Sequence, residues 1–73
     1  MRLDPQVIEQ AMQATGTASL DEFGWKYLNK SGQTIRNYLN GKTTPNAEGL
    51  MVLKQLTGWQ LGEMILVEGL AAA

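Results

Sequence analysis

The chain contains neither cysteine nor histidine. That absence limits what it can fold into more than any motif does. A domain of this length buries only about 60% of the surface that its unfolded form exposes, so it is marginal on its own. Small domains usually compensate with a disulfide or a structural zinc. Both need residues this chain lacks. What remains is good helix packing or self-association. Apolar residues make up 44% of the 73-residue sequence, enough for one core and unlike a disordered chain. The expectation is a single domain over residues 1–70. The alanines at 71–73 carry no weight.

The longest apolar run is MILV at 64–67, far short of the roughly 20 residues that a membrane span needs. The opening MRLDPQ has no apolar signal region. The expected location is cytoplasmic. A hydrolytic triad is unavailable without histidine. No Gly-rich phosphate loop and no metal-ligand cluster is present in the sequence. The chain therefore reads as a non-enzyme with no cofactor and no metal.

Helical periodicity predicts five helices and no strand. The first is capped by Asp4 with Pro5 at its first position, where a missing N–H costs nothing. Its apolar stripe is Val7, Ile8, Ala11 and Met12, and Gly16 ends it. In the second, Ser19 and Glu22 have capping-box spacing. Asp21 and Glu22 are read as first-turn acids favoured by the helix dipole rather than as a catalytic pair. Phe23, Tyr27 and Leu28 point inward. The break NKSG follows, with Asn29 and Gly32 tolerant of unusual backbone and Ser31 free to cap. The third helix runs over 32–40 and stops at Gly41. The fourth is expected to start with Thr44 as cap and Pro45 at its first position. Its Leu50, Val52, Leu53 and Leu56 lie so close together that it should be the most buried helix. Gly58 ends it. The fifth carries Leu61, Met64 and Ile65 inward, with Leu66 and Val67 widening the apolar surface.

Net charge is −1, but the charge is sorted along the chain. Residues 26–54 carry Lys26, Lys30, Arg36, Lys42 and Lys54 against Glu48, a net of +4. Residues 1–25 carry Arg2 against Asp4, Glu9, Asp21 and Glu22, a net of −3. No acid occurs over the 25 residues from 23 to 47. Such asymmetry is the footprint of a polyanion-binding face.

On the third helix, Ile35, Tyr38 and Leu39 share one side, and Gln33, Arg36, Asn37 and Asn40 the other. Surface helices usually carry Glu and Lys, the better helix formers. This face carries amides and one Arg instead. Asn and Gln can bond adenine bidentately, and Arg guanine. Gln33, Arg36 and Asn37 cluster near the helix start, where recognition helices touch bases. Thr34 beside them can reach a thymine methyl or a phosphate. Ser31 at the helix N-terminus suits a phosphate oxygen. Trp59 is read as a core residue. Trp25 either packs under the first helix or stands partly exposed at a partner surface.

The segment TIRNYLNGKTTP resembles the helix-turn-helix of Cro/cI-type, lambda-repressor-like phage regulators. The shared pattern is a buried aliphatic residue (Ile35), a core residue three later (Tyr38), then Asn40, Gly41 and Lys42 before a Thr/Pro loop. LMVLKQLTG and GEMIL match the family's later helices, and the resemblance covers roughly residues 19–67. It implies an all-α, five-helix lambda-repressor-like domain with a helix-turn-helix at about 19–41. It also implies phosphate contacts from Asn40, the Gly41 backbone, Lys42 and Thr43. The implied activity is that of a small transcription regulator of phage or prophage type, nucleoid-associated, with its third helix in the major groove of double-stranded DNA. Two departures stand out. The small residue expected ten before Ile35 is Trp25, while Gly24 lies eleven before. The expectation is one extra residue in the turn, with Gly24 as the tight helix contact and Asn29 in place of the turn glycine. Gly32 stands where relatives often have glutamine, so one base-reading side chain is missing.

Helix-turn-helix proteins usually dimerise. The expected surface is the C-terminal helix, because Met64, Ile65, Leu66 and Val67 cannot all face inward. With no second domain to sense a signal, regulation would act through concentration or a partner protein. The alternative is a protein-binding module, such as an antitoxin, or an assembly piece in which DNA binding is secondary or lost.

Overall fold

A computed structural model of the chain describes residues 2–66. In chain order these form a short strand β1 (Arg2–Leu3), helix α1 (Pro5–Thr15), helix α2 (Leu20–Phe23), a π-helical turn (Gly24–Leu28), helix α3 (Gly32–Leu39), helix α4 (Ala47–Thr57), helix α5 (Leu61–Met64) and strand β2 (Ile65–Leu66). The described chain is mostly helical, as expected. No helix in it is long and apolar enough to cross a membrane.

The cap signals of the first three helices work as read. The Asp4 carboxylate accepts the Gln6 N–H at 3.0 Å, and Pro5 begins α1. Ser19 Oγ accepts the Glu22 N–H at 3.1 Å. Asn29 is left-handed, with φ 56°. Ser31 Oγ accepts the Thr34 N–H at 3.3 Å. Asn40 then caps the end of α3, and Gly41 follows at φ 77°.

The core gathers Leu3, Val7, Ile8, Ala11, Phe23, Ile35, Tyr38, Leu53 and Met64. Helix α1 lies on α4, and α2 lies on α3. The Trp59 indole N–H donates to Gln10 Oε1 at 2.8 Å, tying the end of α4 to α1. Trp59 is half-buried against the core, and Trp25 is 60% exposed.

Four expectations are corrected. The C-terminal helix does not run on to Val67. It ends at Met64, and Ile65 turns extended at φ −108°, ψ 124°. Ile65 and Leu66 pair antiparallel with Leu3 and Arg2, and the Asp4 N–H donates to the Met64 carbonyl at 2.7 Å. A β-branched residue loses χ1 freedom in a helix and fits a pleated surface, so Ile65 favours the strand once Arg2–Leu3 supplies a partner. Val67 lies outside the described residues.

Second, α4 is capped by Asn46 rather than Thr44. Asn46 Oδ1 accepts the Gly49 N–H at 2.9 Å, and Pro45 is buried just ahead of the cap. Asn is the stronger N-cap.

Third, α4 is not the most buried helix. It buries only Leu53 fully, whereas α1 buries Val7, Ile8 and Ala11. Apolar residues at 50, 52, 53 and 56 wrap more of α4 than one stripe can bury. Leu50, Val52 and Leu56 end half-buried.

Fourth, the second helix does not run on as plain α-helix to Leu28. Gly24–Leu28 winds as a π-helical turn, where the N–H groups of Asn29 and Lys30 both reach back to the Gly24 carbonyl. Gly24 is the tight contact: a Cβ there would clash with the Lys30 carbonyl oxygen and stand 3.0 Å from Ile35 Cγ1. At Gly32 a Cβ would press on the Asp21 carboxyl group, an exposed side chain able to swing aside, and stand 3.0 Å from the Asp21 backbone nitrogen.

Candidate nucleic-acid interface

Helix α3 is held by its inner face. Ile35 is fully buried and Tyr38 is 5% exposed. The same rotation turns Gln33 and Arg36 outward and leaves Asn37 half-buried beside them. These three side chains are joined. An Arg36 guanidinium N–H donates to Gln33 Oε1 at 3.2 Å, and Gln33 Nε2 donates to Asn37 Oδ1 at 3.2 Å. Spacings of three and four residues bring side chains together on one helix face. The result is a polar relay of one guanidinium and two amides, with the Asn37 amide N–H groups and further Arg36 N–H groups left to point elsewhere.

The Asn37 backbone also holds the loop that follows. Its carbonyl accepts the Lys42 N–H at 3.0 Å and the Thr43 N–H at 3.5 Å. Lys42 and Thr43 are both exposed. Asn40 is exposed, and its N–H donates to the Arg36 carbonyl at 3.0 Å. Gln33, Arg36, Asn37, Asn40, Lys42 and Thr43 thus belong to one continuous segment fixed at Asn37. Ser31 and Thr34 are half-buried at the other end of α3, with their hydroxyls 3.2 Å apart. The Ser31 hydroxyl accepts the Thr34 N–H and shares a hydrogen bond with the Thr34 hydroxyl.

Two contacts that matter here could not be read from the sequence. Arg2 donates to the Leu39 carbonyl at 3.1 Å, and its guanidinium stands against Gly41. A cation suits the carbonyl end of a helix. The other is made by Asp21, whose carboxyl group stands against Gly32. The acid-free stretch along the chain is therefore not acid-free in space, because Asp21 brings negative charge to the start of α3. The positive excess is also smaller than the count suggests, since Lys26 lies 3.6 Å from Glu22. Lys30 and Lys42 are exposed and form no ion pair among the described residues. No group of residues suited to a metal occurs among the described residues.

The chain matches no protein-family model, no curated protein and no solved structure.

Proposed function

We propose that the chain binds double-stranded DNA sequence-specifically as a small transcription regulator, with α3 in the major groove, in the manner of the Cro/cI-type domains it resembles. The observation that carries this reading is the joined Arg36–Gln33–Asn37 group on the outer face of α3. Its donors and acceptors suit base edges, and a rigid inner face fixes their positions. Lys42 and Thr43 are offered to phosphates, which position a protein on the duplex without reading sequence. Pairing of two copies on adjacent half-sites about 34 Å apart accompanies this reading. Leu61 and Leu66 are the exposed apolar residues near the C-terminal end that suit such a contact.

Electrophoretic mobility shift on random duplex tests the proposal. The expected result is weak binding that falls steeply with added salt. A second reading, a protein-binding helical module such as an antitoxin, is favoured by one observation: Trp25 and Met51 stand 60% and 48% exposed. Absence of any shift at low salt would select it.

A further inference from the structure

The three joined side chains on α3 have one polarity, and Arg36 imposes it. A guanidinium carries donors and no acceptor. The atom that faces the Arg36 N–H at 3.2 Å is therefore the Gln33 oxygen. An amide holds its nitrogen away from its oxygen, so Gln33 turns Nε2 toward Asn37. That nitrogen donates and cannot accept, and Asn37 meets it with Oδ1 at 3.2 Å. Reversing either amide would set donor against donor.

The outward face is left rich in donors. The Asn37 amide N–H groups and the remaining N–H groups of Arg36 make no hydrogen bond among the described residues. Both amide oxygens already accept one. In the major groove, guanine offers two acceptors side by side, N7 and O6. Adenine offers an acceptor beside a donor, and cytosine a donor. An asparagine that reads adenine uses its oxygen and its nitrogen together. Here Gln33 engages that oxygen.

We propose that Gln33 is a positioning residue that decides what Asn37 reads, and that Arg36 and Asn37 both read guanine. This preference rests on the proposed DNA binding and narrows it: the favoured half-site carries guanine, not adenine, at the base that Asn37 meets. The carboxylate of a Gln33→Glu variant accepts from Arg36 with one oxygen and from the Asn37 amide nitrogen with the other. Asn37 then turns Oδ1 outward, toward a base edge that donates.

The test uses the full chain and a duplex selected from a random library. The base read by Asn37 is the one at which Asn37→Ala loses preference. Four duplexes carry each base pair there in turn. The parent should prefer guanine to adenine about tenfold, the scale of one bidentate contact. Replacing that guanine with 7-deazaguanine, which lacks the N7 acceptor, should remove most of the preference. Gln33→Glu adds negative charge and weakens binding to all four duplexes, so the readout is the ratio between them. That ratio should move about tenfold away from guanine, toward adenine or cytosine, while the base read by Arg36 stays guanine. Adenine preferred by the parent at the Asn37 position, no position relaxed by Asn37→Ala, or a parent-like ratio in Gln33→Glu overturns this assignment and leaves DNA binding standing. No shift of any duplex at low salt overturns DNA binding itself, and the assignment with it.

Discussion

Gly24→Ala separates this packing from an ordinary helix. In an unconstrained helix interior, Ala is better than Gly by about 0.5–1 kcal/mol. Gly24 has φ −60°, so Ala meets no backbone strain. What it meets is matter. Its Cβ would overlap the Lys30 carbonyl oxygen and press on Ile35 Cγ1 at 3.0 Å. The first neighbour is backbone and the second is in the core, so neither can swing aside. Overpacking of this kind costs about 1–3 kcal/mol. After the helix-propensity gain, the net expectation is a loss of about 1–2 kcal/mol, which for a domain this size lowers the Tm by about 4–8 °C per kcal/mol. The internal control is Gly62→Ala in α5, where nothing lies within 4 Å of a new Cβ. Urea unfolding of both variants, followed by circular dichroism, decides the matter. If Gly24→Ala is as stable as the parent or more so, the close contact of α2 with α3 is refuted.

Leu53→Ala should cost about 2–5 kcal/mol in urea unfolding, because it empties a fully buried site in the middle of the core. Asn46→Ala should cost about 1 kcal/mol, and Thr44→Ala much less, since only Asn46 accepts the Gly49 N–H. Lys42→Ala should weaken binding to all duplex sequences about equally and reduce the salt slope by about one, read from titrations at two salt concentrations. Raising the pH through and above 10.0 should destabilise the parent more than Tyr38→Phe in parallel urea titrations. The folded state holds the Tyr38 proton more tightly than the unfolded state, so its contribution is constant below 10.0 and is lost as the pH climbs through the raised folded value.

The ends of the first three helices were legible because caps are local. Asp4, Ser19 and Ser31 each bond an N–H two or three residues on, and Gly16, Gly41 and Gly58 take the left-handed backbone that glycine permits. The spacing anomaly at Gly24 was legible as an anomaly. The π-helical turn that begins there was not, because that depends on how Gly24 meets Lys30 and Ile35 across two helices. Strand β2 was illegible for a similar reason: Ile65 and Leu66 read as helix until Arg2 and Leu3, at the other end of the chain, come alongside. On α3, the residues sharing the outer face followed from helical period alone. The hydrogen bonds that link Arg36 to Gln33 and Gln33 to Asn37 depend on rotamers. The reach of Arg2 to Leu39, and the placing of Asp21 against Gly32, depend on tertiary approach.

Whether the Arg36–Gln33–Asn37 group reads base edges is decided by titrating the parent, Arg36→Ala and Asn37→Ala against a duplex selected from a random library, a one-base variant of that duplex, and random duplex. Each variant should lose about 1–3 kcal/mol on the selected site, with preference relaxed at one base position. Random-duplex binding should fall less, and more for Arg36→Ala than for Asn37→Ala because only arginine carries charge. Folding stability should stay within about 0.5 kcal/mol for exposed Arg36→Ala and change little more for half-buried Asn37→Ala. Folded variants with parent-like affinity for all three duplexes would leave the outer face of α3 as solvated surface that reads no bases.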